Sequence, residues 1–273
     1  MDKNKITIIM GAYNVADTVG RAIDSLVAQT CDEWLLLICD DGSCDDTYGV
    51  IKSYEQRYPD KIHTYQNDKN HGLTYTLNFL VEKVQTEYIA RMDADDVSID
   101  DRLKKQMQFL DEHREYAFVG SSINKFDEGG IYCTCKMKEK PEKKDFLWNS
   151  PFVHPTIMIR TKSLREVGGY RDIPKTFRCE DYDLWFRLYE KGYKGFNINE
   201  VLLNYYEGQE SFPKRKFIYR INEMRVRFEG YKRLNLFPIG IIYVIKPLLV
   251  GIIPIGIQKR IKKKSVCPIG DET

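Results

Sequence analysis

The stretch Tyr88-Ile89-Ala90-Arg91-Met92-Asp93-Ala94-Asp95-Asp96 decides the reading of this chain. It runs from a short apolar strand straight into three carboxylates. Tyr88, Ile89 and Met92 suit a buried parallel strand, and the acids crowd its carboxyl end. Ligands of open α/β sheets bind at that end. Asp93 and Asp95, at i and i+2, can aim oxygens at one point, which their like charge opposes. A hard divalent cation removes the conflict, and diphosphate oxygens can fill its remaining positions. Asp100 and Asp101, by contrast, read as acids at the positive end of a helix. A strand end needs no such capping, so Asp93 and Asp95 are assigned to a metal.

Upstream of this stretch, strands alternate with helices. Ile6–Met10 is an apolar strand broken by Gly11-Ala12-Tyr13-Asn14, and Val19, Ala22, Ile23, Leu26 and Val27 recur at helical spacing. Trp34–Cys39 is a second strand, ending in Asp40-Asp41-Gly42-Ser43. A helix follows, with Val50, Ile51 and Tyr54 on its apolar face. Ile62–Tyr65 is a third strand; Leu73, Leu77, Leu80, Val81 and Val84 mark the next helix. After Asp96 come a helix with Leu103, Met107 and Leu110 and a strand at Ala117–Val119. This β-α alternation predicts an α/β, doubly wound, mainly parallel sheet of Rossmann-like type over residues 1–120. Acids stand at two strand exits, so a nucleotide between them is the natural ligand. Glycine-rich phosphate loops of the Walker and G-x-G-x-x-G types are absent, which leaves the diphosphate to the cation.

The second half changes texture. Ile123–Phe126 and Ile131–Met137 read as a hairpin, and Phe152–Arg160 as strand-like. Lys136–Lys144 is charged and exposed in this reading. Glu180-Asp181 opens an amphipathic helix carrying Leu184, Trp185 and Leu188, and Val201–Leu203 is a last short strand.

The 273 residues are 42% hydrophobic and 30% charged, enough for one large α/β domain with a tail, and the net charge of +2 argues against a nucleic-acid partner. Seven scattered cysteines without a C-x-x-C pair read as reduced thiols rather than a zinc site. Met1–Lys5 leads directly into a strand without a secretory signal, so the expected location is cytoplasmic.

Taken in order, Gly11-Ala12-Tyr13-Asn14, Asp40-Asp41-Gly42-Ser43, Asn70-His71-Gly72-Leu73, the Tyr88–Asp96 stretch, His154-Pro155-Thr156, Gly168-Gly169-Tyr170 and Cys179-Glu180-Asp181-Tyr182-Asp183-Leu184-Trp185 resemble an inverting glycosyltransferase of family 2 with a GT-A fold. The resemblance covers roughly residues 5–206 and departs at Gly11, where the family commonly carries proline or threonine. It implies a nucleotide-sugar-binding half over 1–120 and an acceptor-binding half over 121–206. It also implies roles. Asp41 bonds the uracil and Tyr13 lies at the same pocket. Asp93 contacts ribose or the metal's hydration shell. Asp95 ligates Mn²⁺ or Mg²⁺, and Asp181 is the general base, with Glu180 orienting it or binding acceptor. His154 either lines the acceptor side or is a structural histidine before a proline, and it stays outside the catalytic set; so does Trp185, as a core residue.

Residues 207–273 form a helical tail. Lys214-Arg215-Lys216, Arg220, Arg225, Arg227, Lys232 and Arg233 make it basic; Phe237–Ile257 is apolar except for Lys246, and Lys259–Lys264 is basic again. About 20 apolar residues approach a membrane span. Lys246 and prolines 238, 247 and 254 argue against a simple one, so an interfacial or re-entrant anchor on the anionic inner face of the plasma membrane is expected. The alternative is a helix pair packed on the catalytic domain or on a second subunit of a homodimer. The functional expectation is transfer from a UDP-sugar to a glycan or lipid-linked acceptor in cell-surface polysaccharide synthesis. The alternatives are a nucleotidyltransferase, which would want a glycine- and lysine/arginine-rich phosphate loop, and a non-catalytic nucleotide-sugar-binding protein, which would have lost Asp95 or Asp181.

Overall fold

The computed structural model describes residues 4–208 and 217–252. Strands β1 (Ile6–Ala12), β2 (Trp34–Asp40), β3 (Ile62–Gln66) and β4 (Tyr88–Arg91) lie parallel in the order β3-β2-β1-β4. They are joined in turn by helices α1 (Ala16–Val27), α2 (Thr47–Arg57) and α3 (Leu73–Lys83). Side chains alternate between two cores, as strand pleating requires. Ile6, Ile8 and Met10 of β1 pack with Val19, Ile23 and Leu26 of α1, while Ile9 packs with Leu77 and Leu80 of α3 on the other face.

Beyond β4 the sheet becomes mixed. After β5 (Val97–Ser98) and α4 (Arg102–Glu112) come β6 (Phe118–Asp127), β7 (Gly130–Cys135), β8 (Met158–Arg160) and, after helices α5 (Thr161–Glu166) and α6 (Glu180–Glu190), β9 (Gly195–Tyr206). The order continues β4-β8-β6-β9-β5, with β7 paired to β6. Strand β8 lies antiparallel to both β4 and β6, so the strand at 117–119 does not extend the parallel run directly. The Met158-Ile159 dipeptide is buried on both faces, which suits it to a sheet centre. The expected strands at 117–119 and 123–126 fall in one strand, β6, and the expected Val201–Leu203 strand lies in the second half of β9. The two long strands pair in parallel from Phe118↔Gly195 to Phe126↔Tyr206, through irregular register at Ser121–Ile123. Of the Phe152–Arg160 run, only the last three residues are strand; His154–Thr156 is a 3-10 turn.

The break expected near residue 206 is not a break in packing among the described residues. Helix α7 (Phe217–Arg233) inserts Val226 and Tyr231 into the core that holds Leu184, Trp185 and Phe186 of α6. Its buried Arg227 donates to Glu223, to the Tyr231 hydroxyl at 2.8 Å and to the Leu147 carbonyl at 3.0 Å. Helix α8 (Gly240–Ile252) packs on α7 and carries Pro247. No described helix is long and apolar enough to cross a membrane. The basic runs Lys214–Lys216 and Lys259–Lys264 lie outside the described residues.

Candidate active site

The carboxyl ends of β1, β2 and β4 meet where the sheet changes direction. After β1 the chain turns at Asn14, whose φ is 51°. Its side-chain oxygen accepts from Cys44 N at 2.8 Å, and its own N–H donates to Ser43 Oγ at 2.9 Å. This ties the β1 turn to the β2 turn. Gly42 has φ of 71°, and a Cβ there would sit 2.5 Å from the Lys69 carbonyl carbon, so the position requires glycine. At Gly11 a Cβ would stand 3.1 Å from Leu73 Cδ1.

Asp40 and Asp41 are both buried. Asp40 accepts from Ser43 and, at 3.1 Å, from Gln66 Nε2, which makes it a turn residue. Asp41 Oδ1 accepts from Asn67 Nδ2 at 2.7 Å and His71 N at 3.0 Å, and Oδ2 from Gly72 N at 2.8 Å. Asp41 therefore fastens the 67–72 loop and does not line the main cavity. Contact with a base is left to the lone pair of Oδ2 that Gly72 leaves open.

That cavity has a volume of about 800 Å³. Tyr13, Asp93, Asp95, Glu180 and Asp181 all line it. The carboxylate oxygens of Asp93, Asp95 and Asp96 come within 4.8 Å of one another. Each is held from behind. Buried Arg91 donates to both Asp93 oxygens, one bond being 2.6 Å. Arg21 of α1 donates to the Asp95 carbonyl at 3.0 Å, and Tyr206 N donates to Asp96 Oδ1 at 2.8 Å. Asp96 Oδ2 is buried without a partner. Burial, then the neighbouring Asp93 carboxylate, pushes Asp95 up to about 6. Burial, with Asp93 and Asp95 beside it, raises Asp96 well above the carboxylate range. Clustered carboxylates, one with an orphaned oxygen, are the donor set a hard divalent cation takes. The residues fit such an ion.

Helix α6 begins at the same cavity. Asp181 is raised chiefly by burial, against the pull of neighbouring backbone N–H groups and Arg91. Burial, then Asp181, lifts Glu180 to about 7. Asp183 belongs elsewhere: it is buried and bonded to Arg171 Nε at 2.9 Å and Arg187 Nε at 2.8 Å. His154 lines the cavity, but its Nε2 pairs with the Tyr170 hydroxyl at 2.8 Å. Burial, then Arg91, drives its pKa well below the imidazole value. Trp185 is fully buried and stacks on Phe118 at 5.0 Å.

Several lining residues have no signature in sequence. Tyr205, Tyr206 and Glu207 at the end of β9, and Tyr219, Arg220 and Glu223 of α7, complete the wall. Arg91 did carry a signal: a lone charge inside an apolar strand demands a buried partner, and Asp93 supplies it.

A model of the family described as "Glycosyl transferase family 2" matches residues 7–168. The chain is 37% identical over 262 residues to EpsE of Bacillus subtilis (strain 168), whose name carries a provisional glycosyltransferase assignment; the match covers 96% of this chain and 94% of that one. It is 25% identical over 278 residues to a UDP-Gal:alpha-D-GlcNAc-diphosphoundecaprenol beta-1,3-galactosyltransferase of Escherichia coli, covering 97% and 98%. Among solved structures, S. aureus TarS 1-349 in complex with UDP-GlcNAc superposes with a TM-score of 0.68 at 17% identity, covering 85% of this chain and 71% of that one. A mannosyltransferase, PcManGT from Pyrobaculum calidifontis in complex with GDP-Man and Mn²⁺, superposes with 0.61 at 17% identity, covering 95% and 79%.

Proposed function

Since this chain belongs to glycosyl transferase family 2, we propose that it moves a sugar, with inversion, from a UDP-sugar to a lipid-linked glycan acceptor during assembly of a cell-surface polysaccharide. One observation carries the proposal. Acids from two distant segments, Asp93 and Asp95 after β4 and Glu180 and Asp181 at the start of α6, line one cavity. An inverting displacement needs a base on the acceptor side and charge stabilisation on the leaving diphosphate.

In this reading Asp181 takes the acceptor hydroxyl's proton. Its raised pKa makes the ionised form a stronger base than an ordinary carboxylate. Glu180 orients the acceptor beside it. Tyr13, exposed at the cavity, and Asp41, through its open lone pair, form the nucleotide end, and Asp93 meets the ribose side. Asp95, with Asp93 and Asp96 adjacent, would hold Mn²⁺ or Mg²⁺. Bound there, the ion supplies Lewis-acid stabilisation of diphosphate charge. The relatives' names support the donor and acceptor classes: one uses UDP-Gal and a diphosphoundecaprenol-linked acceptor, another UDP-Glc and the same lipid.

A lipid-linked acceptor places the work at a membrane surface, and the proposal includes an interfacial seat on its cytoplasmic face. Ile241, Ile242, Ile245 and Leu249 of α8 are 49–73% exposed. A helix of 13 residues is about 20 Å long, short of the ~30 Å hydrocarbon core. It can lie in the interface. A homodimer using the same face is the alternative.

The experiment is a donor screen. Purified protein with Mn²⁺ or Mg²⁺ receives a panel of nucleotide sugars and a GlcNAc-diphospholipid, and released nucleotide is measured. Release of UDP from a UDP-sugar is expected. Activity confined to a GDP- or dTDP-sugar removes the UDP assignment, and no release from any donor removes the transferase reading.

A further inference from the structure

Arg178 stands where folding alone would place glycine. It precedes the Cys179-Glu180-Asp181 start of α6 with φ of 67°, in the left-handed region where a Cβ is penalised. The other described non-glycine residues at positive φ are Asn14 and Asn235, of a type that tolerates it. Arginine has no such tolerance. Within the protein its charge favours the ionised form of Glu180, through space rather than through a bond. Among the described residues Arg178 makes no hydrogen bond or ion pair, and its ring contact, to Phe177, is 5.9 Å long. The side chain is exposed and lines the cavity. Strain of this kind at a cavity marks a side chain kept for use.

The surroundings indicate what it is used on. The Phe177 ring packs on Tyr219 at 5.5 Å, and Asn222 donates to the Phe177 carbonyl at 3.3 Å, so the Arg178 turn is fixed against the start of α7. Arg220 of α7 lines the same cavity. Its pair with Glu223 is 3.3 Å, and Glu223 is already held by Arg227 at 2.9 and 3.0 Å, so Arg220 keeps donors to spare. The acids that α6 and α7 bring to the cavity are Glu180, Asp181 and Glu223; Arg178 itself acts on Glu180, and Arg227 offsets Glu223. Two guanidinium forks suit phosphate oxygens. A cation held by Asp93 and Asp95 would supply the countercharge of the donor's diphosphate at their end of the cavity. Arg178 shares a turn with the proposed base, which works on the acceptor. Both arginines also lie beyond residue 168, where the family match ends.

We propose that Arg178, with Arg220, forms an anion subsite for the phosphate or diphosphate ester of the acceptor, next to the base. The inference rests on the transferase reading of this cavity. Arg178→Asn keeps a side chain that tolerates the backbone and removes the charge; Arg178→Lys keeps the charge without the fork; Arg220→Gln tests the second cation. Each protein is offered one glycan on an alkyl diphosphate and on a neutral alkyl group. The preference for the charged acceptor, in kcat/KM, falls by about 10-fold or more in Arg178→Asn, since a charge-assisted hydrogen bond is lost. Lysine restores part of it, Arg220→Gln lowers it further, and the melting temperature holds or rises. Unchanged preference overturns the proposal. So does a raised KM for donor instead of acceptor, which would assign the arginine to the donor's diphosphate. A melting temperature lowered by several degrees with uniform loss of rate would make Arg178 structural. Should no acceptor be used at all, calorimetry with inorganic pyrophosphate in EDTA still decides: binding to the wild type weakened about 10-fold in Arg178→Asn supports the subsite, and equal binding to both overturns it.

Discussion

Gly230→Val should separate an integral α7 from an appended one. A Cβ at Gly230 would lie 2.3 Å from Phe186 Cγ and Cδ2, well inside van der Waals contact. Phe186 cannot retreat easily. It is buried and hemmed by Phe146 at 5.1 Å, Tyr182 at 4.6 Å and Tyr231 at 5.8 Å between ring centroids. Either α7 backs away by more than 1 Å, by rough comparison with ordinary carbon contacts of about 3.5–4.0 Å, or Phe186 leaves its rotamer. Overpacking of this kind costs about 1–3 kcal/mol, and the helix propensity gained by replacing glycine returns well under about 1 kcal/mol. Valine adds three carbons, so a net loss of about 2 kcal/mol is expected, a fall of roughly 4–8 °C in melting temperature for a chain of this size. Differential scanning calorimetry measures it. The same displacement moves Tyr219 and Arg220 out of the cavity wall, so acceptor KM should rise. Adding Phe186→Ala opens room for the new side chain, and the two changes should then cost less than their sum. An unchanged melting temperature in Gly230→Val refutes the packing of α7 on α6, and strict additivity refutes the contact with Phe186.

Other expectations follow from the site. Asp95→Ala should abolish measurable Mn²⁺ binding by calorimetry and lower transfer strongly; full activity in EDTA would remove the cation from this account. Asp41→Ala leaves the N–H groups of His71 and Gly72 without their acceptor, so stability should drop by about 2–4 kcal/mol together with UDP affinity, as for lost charged hydrogen bonds; a denaturation midpoint equal to wild type would contradict the loop-fastening role. Because the base must be ionised, kcat/KM should fall as pH drops through the Asp181 pKa, at a midpoint above the ordinary aspartate value. That limb should survive in Glu180→Gln, and a midpoint no higher than the ordinary aspartate value would sink the base assignment.

The parallel half of the sheet was legible because its strands and helices carry clean periods. The apolar run Ile6–Met10 and the helical spacing of Val19, Ile23 and Leu26 each allow one reading. The second half hid its two longest strands. Ser121 and Ser122 of β6 carry no apolar signal, yet both are buried, and Asn197 of β9 is fully buried, donating to the carbonyls of Lys138 and Pro151. Those hydrogen bonds are tertiary and leave no trace in hydropathy. At the site, acids at strand ends were conspicuous, whereas Arg21 on α1 and Arg220 on α7 read as ordinary helix surface. The tail's basic character concealed that Arg227 is buried among carbonyls and a carboxylate. Asp41 was visible as an acid at a strand exit, but only the folded loop shows that its oxygens hold Asn67, His71 and Gly72.

The most direct test of the mechanism is the single-turnover rate of Asp181→Asn with donor and acceptor both saturating, alongside its UDP-sugar affinity. The substitution keeps shape and removes basicity at the start of α6. A positioned general base is worth about 10²–10⁴-fold, so the variant should bind UDP-sugar as the wild type does, fold normally and transfer at least about 100-fold more slowly. Retention of most of the turnover, or a loss of UDP-sugar affinity that accounts for the loss of rate, would contradict the assignment of Asp181 as the base.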